Sequence, residues 1–316
     1  MTTYIIRRIL ISLLVVFLVS VFSFSLLQIM PGDPARLALG YEASEEDVQA
    51  LREEMNLDKP ILTQYFLWLK NLFQGDLGDS VIYKRPVRDM IAERLPRTVS
   101  LGVFALIVGI PLGIICGVVC AVKRGTLADQ GITFAMTMIM GMPVFWIGIL
   151  SILVFAVWLR ILPIQGYTPP TQDFGDFIYH AILPVLAMSL GMSASLTRQT
   201  RTNVLDSINQ DYIRTARANG LSEGSVVYKH ALKNALIPVI TIVGMQVRVV
   251  IGGSLLVEQL FNIPGLGTLL TTALNNRDYM IVQNCTLLIS LFTVAANLVV
   301  DIAYGFVDPR IRLKRR

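Results

Sequence analysis

Two histidines and three cysteines are all that 316 residues offer for imidazole or thiolate chemistry. Cys116, Cys120 and Cys285 lie in apolar runs with no Cys-x-x-Cys pairing, so they read as small buried hydrophobes, not as a disulfide framework or a metal site. No H-E-x-x-H motif occurs, and no G-x-x-x-x-G-K-[ST] loop, so the chain itself should not hydrolyse a nucleotide. Charge is scarce as well: 16% of residues are charged against 54% hydrophobic. With a mean hydropathy of +0.61, that balance excludes an ordinary soluble domain. A sequence pI near 9.2 would suggest nucleic acid in a soluble chain. Here the basic residues read as orientation signals, and no nucleic-acid partner is expected.

What the chain does have is apolar runs near 20 residues, enough to cross a hydrocarbon core about 30 Å thick as helices. The first, residues 9–29, follows Arg7 and Arg8. It exceeds the roughly 7–15-residue core of a signal peptide, and "QIMPGDPARL" offers no small-residue cleavage site, so it reads as a retained span. Six spans are expected in all: 9–30, 98–122, 131–159, 179–197, 235–257 and 281–306. Basic groups alternate with them: Arg7 and Arg8; Lys123 and Arg124; Arg198, Arg201, Arg214, Arg217, Lys229 and Lys233; and the group from Arg310 to Arg316. The positive-inside rule then places both termini in the cytoplasm of a multi-pass protein surrounded by membrane lipid.

The fold expected is therefore all-α: an N-terminal span (1–30), a small extracytoplasmic helical insertion (31–97), and a five-helix core (98–316) with a cytoplasmic loop at 198–234. Within the insertion, Ser44 and Asp47 suggest a capping box before "VQALREEMNL". "ILTQYFLWLKNLFQG" reads as an amphipathic helix closed by Gly75. Pro86 opens "PVRDMIAERL", which Pro96 should stop.

In span two, Gly109, Gly113 and Gly117 recur every four residues and suit close approach by another helix, in this chain or another. Pro111, Pro143 and Pro184 can kink their spans. In "VGMQVRVVIGG", Gln246 and Arg248 sit mid-span; a charge there costs about 2.5–3.5 kcal/mol on insertion scales. They are candidates for a substrate path. The alternative for Arg248 is a structural ion pair, with Asp301 or with a partner's carboxylate. The stretch "VEQLFNIPGLGTLLTTALNNRDY" is too short to cross twice and reads as a re-entrant segment or a surface helix. "GMSA" at 191–194 is similar to the nucleophile run of an intramembrane serine protease. That chemistry needs a histidine beside the serine, and neither His180 nor His230 is suitably placed.

The most informative stretch is polar: "DYIRTARANGLSEGSVVYKHALKNALIP", residues 211–238. Residues 211–218 read as a short helix with Tyr212, Ile213 and Ala216 to one side and Asp211, Arg214 and Ala218 to the other. Gly220 ends it, and Ser222 can cap a second helix leading to Pro238. Such a helix fits a groove on a soluble partner or lies on the membrane surface. The stretch resembles the EAA loop of ATP-binding-cassette importer permeases of the dipeptide/oligopeptide/nickel family. Arg214-Thr215-Ala216, three residues, then Gly220 stand where the Glu-Ala-Ala-x₃-Gly half falls, with only the second alanine kept. The usual proline of the second half falls on Lys233. "RRI", "MPGDPARL", "NIPGLG", "NRDY" and "VDPRIR" are also similar to that family, over nearly the whole chain.

The resemblance implies a bacterial inner-membrane permease, non-catalytic itself, that binds no cofactor or metal. It implies a homologous second permease, two ATP-binding subunits carrying ATP and Mg, and an extracytoplasmic binding protein that delivers peptides. Tyr212, Ile213, Arg214, Thr215, Ala216, Arg217 and Gly220 would then couple to an ATPase. A nickel or metal-chelate importer is the nearest alternative, and a stand-alone secondary transporter an alternative of another class.

Overall fold

The computed structural model describes residues 2–29, 33–40, 42–80 and 82–307. They are almost wholly helical: α1 (Thr2–Ile29), α2 (Pro34–Leu39), α3 (Glu45–Glu54), α4 (Ile61–Phe73), a hairpin of β1 (Asp79–Ser80) and β2 (Arg85–Pro86), α5 (Val87–Val122), α6 (Leu127–Met140), α7 (Val144–Ser151), α8 (Phe174–Ile208), α9 (Asp211–Ala218), α10 (Glu223–Ser225), α11 (Leu232–Leu260), α12 (Leu266–Asn276) and α13 (Tyr279–Val307). π-helical turns extend α7 through Ile152–Trp158 and lead from α10 to α11 through Val226–Ala231. Among the described residues, α1, α5, α8 and α13 are each long and apolar enough to cross a membrane. The pair α6–α7 is apolar enough only when taken together, as one broken span or a re-entrant loop. Residues 235–257 fall within α11, a helix of 29 residues.

Two of the prolines behave differently. Pro143 breaks the expected span 131–159, as its position allowed: α6 and α7 meet at 111° across Gly141–Pro143, where Pro143 becomes the N-cap of α7. Proline cannot donate to the preceding turn, so the helix restarts there. Pro96, by contrast, does not stop its helix. α5 runs unbroken through it for 36 residues, although the ring nitrogen cannot bond the Ala92 carbonyl.

The chain divides into two compact units. The first comprises Met1–Arg8, Val99–Ile263 and Ala296–Arg316. Its hub is α8: 61% of that helix's apolar stretch is buried, against 6% for α1. Phe177, Leu183, Met188, Met192 and Leu196 of α8 pack with Leu101 and Ala105 of α5, Ile147 of α7, and Val250, Val257 and Phe261 of α11. The α5 glycine ladder finds its partner here. A Cβ on Gly113 would lie 2.6 Å from Leu196 Cβ and 2.9 Å from the Ser193 carbonyl; one on Gly117 would lie 2.5 Å from Thr200 Cβ. The backbones are close enough for Ser193 Oγ to share its proton between the Gly109 carbonyl, at 3.0 Å, and the Ser189 carbonyl, at 2.7 Å. Thr197 Oγ1 donates to the Gly113 carbonyl at 3.2 Å.

The second unit comprises Ile9–Thr98 and Pro264–Ala295. Ser44 caps α3 by accepting from the Asp47 amide, and Gly75, at φ 80°, follows α4 as expected. Asp33 caps α2 and binds Arg52. α12 is no free surface helix: Leu266, Leu269 and Ala273 are buried with Val87, Met90 and Ile91 of α5 and Ile281, Val282 and Cys285 of α13. The turn Arg277–Asp278 joins α12 to α13. Arg277 takes a left-handed φ of 59°, and the buried Asp278 carboxylate accepts from the Ile281 amide and from the Ser80 hydroxyl of the hairpin.

Candidate functional site

α9 forms where expected, over Asp211–Ala218, and its end is set by Gly220 at φ 79°. An L side chain is strained at that angle, whereas glycine is not. The Gly220 amide reaches the Arg217 carbonyl at 2.9 Å. Ser222 stands at the cap position of α10 with extended backbone but makes no side-chain cap bond.

Two of the expected coupling residues turn inward. Ile213 is fully buried and Ala216 nearly so, packed with Val226, Ala231 and Ile208. They seat α9 on the two helices that flank it and are not available to a partner. Burying one isoleucine contributes about 2 kcal/mol, so this seat is shallow. Polar bonds fix its direction. The Tyr212 hydroxyl lies 2.6 Å from Ser207 Oγ, and Ser207 Oγ donates to the Ala231 carbonyl at 2.9 Å, tying the foot of α8 to the π-helical start of α11. Arg214, Thr215 and Gly220 remain exposed, as does Arg217, which grips Glu223 through Nε at 2.7 Å and Nη2 at 3.3 Å. That hydrogen-bonded contact holds the Glu223 carboxyl below its ordinary range and raises Arg217. Beside the pair opens a cleft of about 430 Å³, bordered by Arg124, Leu205, Asn209 and Tyr228.

A second ion pair escaped the sequence reading, which treated Arg201 only as an orientation charge. Arg201 of α8 binds Asp129 of α6 through two bonds, Nε–Oδ1 and Nη2–Oδ2, both 2.9 Å. Asp129 also accepts from the Gly125 amide at 3.0 Å and from the Thr133 hydroxyl at 3.2 Å, so every carboxylate oxygen is used. Thr126, whose Oγ1 accepts from the Asp129 amide, marks the start of α6 and was the available signal. Arg201 lies six residues, or about 9 Å along the helix, before Ser207. The foot that carries α9 is therefore clamped to α6.

The remaining candidates fall elsewhere. Gln246 is buried in α11. The side chain of Arg248 lies outside the described residues. Asp301 takes Arg8 as its partner, Oδ2 to Nη1 at 2.9 Å, and its carbonyl accepts from the Tyr4 hydroxyl at 3.0 Å. Ser193 spends its hydroxyl on helix packing, and His180, thirteen residues earlier in the same helix, stands about 20 Å away along the axis. At that distance His180 cannot act as a base for Ser193. "VDPRIR" extends from the end of α13 outside the described residues.

Long apolar helices with a short helix seated against the foot of α8 and the start of α11 form a fold shared with a solved structure: a chain of an amino acid ABC transporter crystallised with histidines matches with a TM-score of 0.53 and 14% identity, over 69% of this chain and 94% of its own. The chain belongs to the family of binding-protein-dependent transport system inner membrane components, whose model matches residues 109–313, with the family's N-terminal model matching residues 1–102. The oligopeptide transport system permease protein AppB of Bacillus subtilis is 41% identical over 98% of this chain and 99% of its own. The glutathione transport system permease protein GsiC of Escherichia coli is 40% identical over 99% of this chain and all of its own. The chain is thus a multi-pass, non-catalytic permease subunit.

Proposed function

We propose that this chain forms half of the path by which an ATP-driven importer moves di- or oligopeptides across a bacterial inner membrane. Its relatives are named for peptide and glutathione transport, which favours peptides over nickel or a metal chelate. A homologous permease completes the path, an extracytoplasmic binding protein delivers cargo, and two ATPases carry ATP and Mg. Both termini and α9 face the cytoplasm, where the basic groups concentrate.

The observation that carries the mechanism is the two-sidedness of α9. Ile213 and Ala216 are buried in the flanking helices while Arg214 and Thr215 point away, free to meet an ATPase groove. Tyr212 and Arg217 brace the helix, and Gly220 lets the chain turn back into α10. Closure of the ATPases pushes on α9, and the Ser207 and Asp129–Arg201 ties pass that push into α8, α11 and α6 together. Gln246 and Arg248 are retained as path candidates on α11.

The test uses the exposed face. Thr215→Cys should crosslink to an ATPase subunit in the assembled complex, and Arg214→Glu should lower uptake at least tenfold while the chain stays inserted. Ala216→Asp and Gly220→Pro should leave ATP hydrolysis running without uptake, because they unseat or misdirect the same helix. Full uptake in Arg214→Glu, with no ATPase adduct at residue 215, removes α9 from coupling. Ligand identification on the binding protein separates peptide from metal chelate.

A further inference from the structure

α3 and α4 are neighbours in sequence and opposites in surface. α3 buries Val48 and otherwise presents Glu45, Glu46, Asp47, Gln49 and Glu53, a surface made for water. α4 leaves Leu62 72%, Phe66 64% and Phe73 83% exposed. At about 100° per residue these three and Leu69 fall within about 60° of one another. Thr63, Lys70 and Gln74 form a polar strip along one border of that stripe. On the remaining side Gln64 and Tyr65 are buried against protein and Leu67, Trp68 and Leu72 are half-buried, while Ile61 and Asn71 stay exposed.

What covers the apolar stripe follows from where α4 sits on α1. The apolar stretch of α1 that can span a membrane ends at Ser25. Tyr65 meets Ser20 inside that stretch, hydroxyl to hydroxyl at 2.8 Å. Phe24, also inside it, meets Tyr65 edge-on at 5.4 Å and Trp68 at a tilt at 5.8 Å between ring centroids. Gln28 lies beyond its end and donates to Gln64 Oε1 at 2.9 Å. α4 therefore straddles the level at which the hydrocarbon core gives way to headgroups. The flank of α1 at that level, Leu18 and Phe22, is itself exposed and apolar. Tyr and Trp concentrate at this depth, and a lysine there keeps its ammonium in the headgroups while its stem lies on apolar surface.

We infer that α4 is an interfacial helix seated in the bilayer leaflet at the end of α1 opposite Arg7 and Arg8, with Leu62, Phe66, Leu69 and Phe73 among the acyl chains and Thr63, Lys70 and Gln74 toward headgroups and water. Its three faces match three surroundings, protein, hydrocarbon and water, as a helix lying in the membrane plane requires. It makes the insertion a membrane-anchored platform, and not a domain free above the bilayer.

The full-length chain tests this in native membranes and in vesicles of phosphatidylethanolamine and phosphatidylglycerol. p-Benzoyl-phenylalanine at Phe66 or Phe73 should form adducts with phospholipid on irradiation, and the same group at Lys70 should form several-fold fewer. Nitroxide labels at residues 66, 73, 63 and 70, in a chain with its three cysteines replaced by alanine, supply the second reading. Residues 66 and 73 should be several-fold more accessible to oxygen than to a water-soluble nickel chelate, with the order reversed at 63 and 70. Capture of a protein by residue 66, or equal chelate access at 66 and 70, overturns the inference: the first assigns the stripe to a subunit interface and the second to open water.

Discussion

The seam between α5 and α8 and the seat of α9 are both helix contacts within one unit, built to opposite specifications. In the seam, Gly109, Gly113 and Gly117 remove every side chain that would hold the backbones apart, and Ser193 and Thr197 bond directly to α5 carbonyls. Nothing there can give without loss of many contacts at once. α9 is held by two buried side chains, one tyrosine hydroxyl and an exposed ion pair. A frame that must keep its shape and a foot that must take a push differ in this way: the first is locked by backbone approach, the second by a thin apolar patch that transmits force in one direction. Asp129–Arg201 lies between them in character, a nearly buried two-bond clamp at the boundary of frame and foot.

The comparison breaks most visibly in the seam. Gly113→Leu drives a side chain into the Ser193 carbonyl and Leu196, which cannot move aside as a flexible tip would. A loss of about 3 kcal/mol is expected, read as a drop in thermal midpoint and in the yield of folded chain in detergent. The clamp comes next. Asp129→Ala leaves Arg201 unpaired but 30% exposed, so part of its charge is solvated and the expected loss is about 2 kcal/mol. Because α6 is freed from α8, uptake should fall more than stability does, while basal ATP hydrolysis persists; parallel losses would reduce the clamp to a structural brace. The smallest effect belongs to the foot. Glu223→Gln should leave the thermal midpoint unchanged and speed hydrogen exchange of the 217–223 amides by about twofold at pH 7, as for an exposed pair. The folded-state pKa of Glu223 lies below its ordinary 4.5, so the ionised contact stabilises the loop above that value. It is lost as pH falls through the lowered value, where the two proteins should exchange alike.

Much of this contrast was legible in residue order. The four-residue glycine spacing announced a close helix contact, and Asp211 to Gly220 announced a helix ended by a glycine. What spacing left open was the partner. Gly109 and Gly113 meet residues 84 positions away, and no local pattern selects Ser193 and Thr197 over another small stripe. Proline was ambiguous for a related reason. Pro143 breaks its helix while Pro96 and Pro184 are absorbed, because the outcome depends on what else can support the freed carbonyl and not on the ring alone. The amphipathic reading of α9 identified Ile213 and Ala216 as a face but could not say that the face turns inward. Asp129 looked like an ordinary first-turn acid until Arg201 was brought beside it.

Composition and periodicity by themselves determined that this chain crosses a membrane in several helices, that it carries no nucleotide-hydrolysing loop, and that a short polar helix interrupts the apolar ones. The first and last follow from the free energy of moving each stretch between water and hydrocarbon, which is set by its own residues, and the second from a missing local motif. Folding in three dimensions decided which helices lock, which side of α9 is free and which arginine is clamped. Those are pairings between distant positions, chosen by shape and by the need to satisfy each buried charge and hydroxyl, and a one-dimensional pattern holds no record of them.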